Sequence, residues 1–275
     1  GLAAVTTVVL ALGMQRMAKR NAIVRRLAAV ETLGSATVIA SDKTGTLTQN
    51  EMTVRAVVTA TGRIAFTGTG YAAEGEMQVD GSPLAEGPQR TEARRLLAAA
   101  HLASNAELVE REGRVTVMGD PTEGALKVAA LKAGLTDERI RTRFRRVGEL
   151  PFSAERKLMS TAHADAMREG GQVLFVKGAP DVLLARCTSE RVGDAERPLD
   201  GARRGAVART IDGLAGEALR TLGIAYRRLV ADERLKEPAV ATFGEMFKGS
   251  GEREMATTMA LVQLLGRLLK DPELG

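Results

Sequence analysis

The most chemically loaded stretch of the chain is Ser41-Asp42-Lys43-Thr44-Gly45-Thr46. An aspartate can attack a phosphoryl group and hold it as an acyl phosphate. Its carboxylate must then stand exposed at a strand end. Cations, normally Mg2+ and a lysine, must offset its repulsion from the phosphate. Gly45 lets backbone amides approach phosphate oxygens, while Thr44 and Thr46 add hydroxyl donors. The same residues also suit a plain strand-ending turn in which Asp42 caps local amides.

Further on, several short groups combine turn formers with reactive types: Gly119-Asp120-Pro121-Thr122-Glu123, Pro151-Phe152-Ser153, Arg156-Lys157, Lys177-Gly178-Ala179-Pro180 and Leu219-Arg220. Each has an ordinary explanation. Asp120 reads as an N-cap, Pro121 as the first helical residue and Glu123 as the far side of a capping box. Phe152 reads as a core ring, Lys157 and Lys177 as solvated charges at strand ends, and Arg220 as a solvated residue before a strand.

The elements that must position these groups follow from periodicity and breakers. Residues 3–30 read as one helix, and Ala36 to Ala40 as a strand buried on both faces, ending at Asp42. Residues 53–87 alternate and turn often, which predicts hairpins or short strands. Helices are expected over 91–104, from Asp120 to Lys132, over 136–145, from Gly178 to Cys187 and over 201–219. Leu158 to Ala162, Gln172 to Val176 and Thr221 to Tyr226 read as strands. Residues 253–270, rich in Leu and Met, read as a helix. Strands and helices are mixed rather than regularly alternating, which favours an α+β domain.

Composition narrows the function. The 275 residues are 44% hydrophobic, enough for a real core in one large or two ordinary domains. The net charge of +5 is interspersed with acids, and Trp is absent, so nucleic acid is not an expected partner. The single cysteine, Cys187, allows no internal disulfide, and His101 and His163 lie far apart with no thiol cluster beside them. No Gly-Lys dipeptide is present, so a P-loop is excluded. Residues 2–13 are apolar or small and are followed by Arg16, Lys19, Arg20, Arg25 and Arg26. That order suits either a membrane helix emerging on its positively flanked cytosolic side or a buried soluble helix.

With these motifs in hand, the chain resembles the P-type cation-transporting ATPases, and among them the calcium-pump-like members. Asp42-Lys43-Thr44-Gly45-Thr46 is similar to their phosphorylation signature. Gly68-Thr69-Gly70-Tyr71, Gly119 to Glu123, Pro151-Phe152-Ser153, Arg156-Lys157, Lys177 to Asp181 and Leu219-Arg220 to Tyr226-Arg227 recur in the family's order, covering about residues 1–235. Asp181 stands where the family commonly has Glu, and Ala3 and Ala28 where relatives often have Pro.

The resemblance implies an α/β fold: a partial haloacid-dehalogenase-like phosphorylation domain with an inserted α+β nucleotide-binding domain, its antiparallel sheet flanked by helices. Residues 1–30 would be the end of a membrane helix and its stalk, 31–52 the first part of the phosphorylation domain, and 53–235 the nucleotide-binding domain. Asp42 would be the catalytic nucleophile, with Lys43, Thr44 and Thr46 shaping the phosphate loop. Asp42 and the Thr44 carbonyl would hold Mg2+. Glu123, Phe152, Lys157, Lys177, Gly178 and Arg220 would bind ATP, the Phe152 ring stacking on adenine. Closure of the two domains would bring the γ-phosphate in line with Asp42. The implied partners are the membrane-embedded remainder of a pump and a cation such as Ca2+. The implied place is a cell membrane, with these domains facing the cytoplasm, and the excess of Arg over Lys, 30 to 9, suits a GC-rich bacterial genome.

The family's Thr-Gly-Asp, Asp-Pro-Pro-Arg and Gly-Asp-Gly-Val-Asn-Asp motifs do not occur, so the chain reads as a fragment unable to turn over alone. Residues 242–275 resemble instead a segment of the thiamine-diphosphate-dependent pyruvate dehydrogenase component, and the origin of the tail 236–275 is left open. The alternatives are a non-catalytic ATP-binding module and a soluble phosphatase of the haloacid dehalogenase type. The latter typically carries a second Asp two residues after the first, where Thr44 stands.

Overall fold

The computed structural model describes residues 1–42, 46–111, 113–217, 219–229 and 260–268. Lys43, Thr44 and Gly45 lie outside the described residues. The chain divides into two compact units, Gly1–Leu47 and Thr48–Gly275.

The first unit holds α1 (Leu2–Lys19) and α2 (Ala28–Gly34). The single helix expected over 3–30 is therefore broken. Asn21 takes φ +60°, a left-handed turn that Asn tolerates and that ends a helix. No side chain of α1 or α2 is buried. Among the described residues no helix is long and apolar enough to cross a membrane. The strand expected at 36–40 is a second correction. The segment is irregular, with Val38 81% and Ile39 90% exposed. An isolated apolar run has no reason to stay extended without a hydrogen-bonded neighbour, and no described strand pairs with this one. Between α2 and residue 42 the described chain is irregular and adds no strand to a sheet.

The second unit runs, in chain order, β1 (Thr48–Thr59), β2 (Gly62–Phe66), β3 (Met77–Val79), β4 (Ser82–Pro83), α3 (Pro88–Leu102), β5 (Glu107–Arg111), β6 (Arg114–Met118), α4 (Pro121–Lys132) and α5 (Asp137–Arg143). It continues through β7 (Phe144–Ser153), β8 (Leu158–Asp165), β9 (Gln172–Gly178), α6 (Pro180–Arg186), β10 (Ser189–Val192), β11 (Ala195–Pro198), α7 (Gly201–Gly216), β12 (Arg220–Leu229) and β13 (Ala260–Leu268). Among the described residues nine strands form one sheet in the order β4-β3-β2-β1-β13-β12-β9-β8-β7, and every neighbouring pair in it is antiparallel. The hairpins β5–β6 and β10–β11 stand apart from it.

β13 corrects the helix expected over 253–270, because its described part is extended and hydrogen-bonds β1 on one side and β12 on the other. Strand pairing on both edges outweighs the local helix propensity of Leu-rich sequence. The helix expected over 136–145 ends at Arg143, where β7 begins.

Side chains alternate across the sheet. Val173, Phe175 and Ile224 face α3 and α4 and join Leu96, Leu97, Leu126 and Ala130 in one core. Leu174, Val176 and Ala225 face the other way and pack with Leu183, Leu184 and Leu214 of α6 and α7. Helices therefore cover both faces of an antiparallel sheet, which takes in β13 from beyond residue 235.

The Gly68-Thr69-Gly70-Tyr71 motif serves this fold. The Gly70 amide donates to Thr53 Oγ1 at 2.9 Å. The buried Tyr71 hydroxyl lies 3.4 Å from both the Met52 amide and the Asn50 carbonyl, fixing the start of β1.

Candidate functional site

One end of the sheet collects the residues singled out for binding. Register places Met159 of β8 opposite Lys177 of β9, and Lys177 opposite Ile224 of β12. On β7 the pairing jumps from Leu150–Ser160 to Ser153–Leu158, so Pro151 and Phe152 together face Met159. This bulge sets Phe152 two strands, about 10 Å, from Lys177. The Phe152 ring is 62% exposed, so it is not the core ring its type alone suggests.

The turn behind Phe152 is held by Arg156. Its guanidinium donates to the carbonyls of Pro151 at 3.0 Å and Leu158 at 2.8 Å, and its amide donates to Ser153 Oγ at 3.1 Å. The exposed Lys157 occupies the left-handed region, φ +56°. The Lys157 carbonyl accepts from the Ala179 amide at 3.0 Å, which joins this turn to the Gly178-Ala179-Pro180 corner. At Gly178 a Cβ would collide with that carbonyl and would come within 2.9 Å of Leu158 Cα. Glycine stands here because two backbones meet.

Lys177 is 8% exposed and is not a solvated strand-end charge. Its Nζ lies 2.5 Å from Glu123 Oε1 and 3.3 Å from Ser104 Oγ. Burial lowers the Lys177 pKa below that of an ordinary lysine, and the Glu123 carboxylate works against that fall. Helix α4 supplies Glu123. As expected, the Asp120 carboxylate caps the helix, accepting from the amides of Thr122 at 2.8 Å and Glu123 at 3.2 Å. Glu123 itself does not close a capping box. Its Oε2 accepts from the amides of Asn105 at 2.6 Å and Ala106 at 2.8 Å, across the gap to the end of α3. Arg220, at the start of β12, donates to Thr122 Oγ1 at 3.2 Å and so reaches the same first turn of α4.

The motifs do not show what fixes residues 102–106. Arg146 of β7 donates to the Leu102 carbonyl at 2.7 Å, to Asn105 Oδ1 at 2.5 Å and to Glu149 Oε2 at 3.2 Å. Asn105 in turn donates to Glu149 Oε1 at 2.7 Å. The same segment carries both amides that hold Glu123 and the hydroxyl that touches Lys177. A cavity of about 380 Å³, lined in part by Ser104, Asn105, Lys127 and Arg146, opens beside it.

All six residues expected to bind ATP, namely Glu123, Phe152, Lys157, Lys177, Gly178 and Arg220, thus gather at one end of the second unit. Of the expected catalytic residues, Asp42 and Thr46 are exposed, while Lys43 and Thr44 lie outside the described residues. Among the described residues no cluster of three or more His, Cys, Asp or Glu side chains could hold a metal ion. Asp42 offers one exposed carboxylate. That fits Mg2+, which takes one or two carboxylates and fills its remaining positions with water and phosphate oxygens.

A family model described as P-type ATPase, cytoplasmic domain N, matches residues 92–267. The chain belongs to the P-type cation ATPases. Among similar proteins is the Probable cation-transporting ATPase F of Mycobacterium tuberculosis, 45% identical over 224 residues, which are 81% of this chain and 24% of that protein. The Calcium-transporting ATPase of Bacillus subtilis is 38% identical over 233 residues, 85% of this chain and 26% of the relative. The Calcium-transporting ATPase type 2C member 1 of Bos taurus is 41% identical over 191 residues, 69% of this chain and 19% of the relative. The chain thus spans about a quarter of the length of these curated relatives. As a P-type ATPase chain it has the mixed α/β make-up and antiparallel sheet described for the second unit.

Proposed function

We propose that the second unit binds ATP for an ATP-driven cation pump that works through an aspartyl-phosphate. The observation that carries this reading is the pairing, at one sheet end, of an exposed ring with a buried ammonium. Phe152 offers a free face for a purine, while Lys177, Arg220 and Lys157 supply positive charge within the same few strands. An aromatic face gains from stacking on a base, and a desolvated lysine attracts phosphate far more strongly than a solvated one.

Asp42 is the nucleophile in this proposal. Its carboxylate oxygen forms the new bond to the γ-phosphorus, the bond to the β,γ-bridging oxygen breaks, and ADP leaves with that electron pair. Lys43, Thr44 and Thr46 would shape the phosphate loop, as the family resemblance implies. Asp42 and Thr44 would hold Mg2+, which would supply charge neutralisation to the phosphates. The cation, Ca2+ being the first candidate from the relatives' names, is moved by the membrane-embedded remainder of a bacterial pump, with these residues on the cytoplasmic side.

ATP titration of Phe152→Ala and Lys177→Ala tests the nucleotide site. Each should weaken binding about tenfold or more, and unchanged affinity in both would overturn it. Labelling from γ-32P-ATP tests the nucleophile: acid-stable label that persists in Asp42→Ala refutes it. ATP binding without any label corresponds to the second reading, a non-catalytic ATP-binding module.

A further inference from the structure

A second cavity, of about 330 Å³, lies between α3 and the sheet at residues that the nucleotide site does not use. Its floor is Val173, Phe175 and Ile224, and Phe144 packs edge-on against Phe175 with ring centroids 5.4 Å apart. Leu96 and Ala99 of α3 close it from above. The interior is therefore apolar and partly aromatic.

Among the described residues its charged lining is unbalanced, with five arginines against two carboxylates. Both carboxylates are already committed. Glu92 accepts from the Thr61 hydroxyl at 2.7 Å and the Gly193 amide at 2.5 Å. Asp165 takes two donors from Arg143, at 3.0 and 3.2 Å. Arg95 pairs with Asp194, and Arg191 donates to the Tyr226 hydroxyl at 2.8 Å. Arg94, half-buried, and Arg228, exposed, have no ion pair among the described residues. The cavity thus joins an apolar interior to two guanidinium groups that have no ion pair among the described residues, and its volume falls in the range of small-molecule sites.

We propose that this cavity binds a small amphipathic carboxylate, its hydrocarbon body seated on Phe175 and its carboxylate held by Arg94 and Arg228. A neutral chain of equal length would leave the guanidinium groups unanswered. Guanidinium also suits carboxylate geometry better than ammonium does.

The test is calorimetric titration of the full chain with decanoate, with decanol as the uncharged control. Tyr226 lines the cavity and the chain has no Trp, so tyrosine fluorescence gives a second readout. One saturable site is expected for decanoate. Arg94→Ala with Arg228→Ala should weaken decanoate binding about tenfold and leave decanol unchanged. Ala98→Phe, which fills the cavity from α3, should abolish decanoate binding; if that variant does not fold, the double arginine variant alone decides. No saturable binding at millimolar decanoate, or equal affinity in wild type and the double arginine variant, would overturn the proposal. None of these changes touches Lys177 or Phe152, so the outcome stands apart from ATP affinity.

Discussion

Lys177 and Glu123 form a buried pair whose halves depend on each other. Removing one partner of such a pair costs about 3–5 kcal/mol, because the other charge is left buried without compensation. Glu123→Gln keeps the size and an acceptor for the Asn105 and Ala106 amides but strips the charge that faces Lys177. Burial already lowers the Lys177 pKa, so below the ordinary lysine range the unfolded chain binds the proton more readily than the folded one. Stability therefore rises with pH towards that range. In Glu123→Gln the lysine loses its partner and the rise steepens. Denaturant melts from neutral to about pH 9.5 should show the variant gaining more than wild type, and parallel curves would refute the coupling. Gly178→Ala is expected to cost more than about 1 kcal/mol, read as a lower melting temperature, because its Cβ has no room beside the Lys157 carbonyl.

Helix α4 and strand β7 carry the next scale. Asp120→Ala removes the acceptor for two amides and should destabilise by about 1 kcal/mol, while Asp120→Asn should cost only a few tenths; chemical denaturation distinguishes the two. Arg146 binds two side chains and a backbone carbonyl with a planar fork, so Arg146→Lys should not rescue Arg146→Ala. Both should weaken ATP binding in a titration, since the 104–106 segment then no longer fixes Glu123. This scale also shows what the sequence revealed. Asp-Pro-Thr-Glu announces a helix start because capping is local chemistry, and Asp120 does cap α4. The part of Glu123 that reaches residues 105 and 106 depends on tertiary approach, and no local spacing encodes it. Arg146 escaped notice for the same reason, since a backbone carbonyl and an amide side chain carry no motif. The apolar runs at 36–40 and 260–268 were readable as hydrophobic but not as paired or unpaired, because pairing is decided by distant chain.

At the scale of the whole second unit, two imidazoles tie folding to pH. Burial pushes His101 down to about 4 and His163 down to about 3 from the ordinary 6.5, despite the Asp137 carboxylate beside His101. Both are neutral in the folded chain at pH 7, whereas the unfolded chain protonates them below about pH 6.5. Stability is therefore complete above that value and falls as pH drops towards 4, by up to about 1.4 kcal/mol per pH unit for each histidine. Melting temperatures at pH 7.5 and pH 5 should differ, and His163→Gln should narrow the gap. Leu126, fully buried between the helices and the sheet, gives a separate check: Leu126→Ala should cost about 2–5 kcal/mol in denaturant unfolding. The first turn of α4 has a consequence of its own. Glu123 is clamped by two amides that owe nothing to Lys177. In the proposed nucleotide site a phosphate would therefore draw the ammonium towards itself while the acid stays anchored, exchanging one electrostatic companion for another without rebuilding its surroundings.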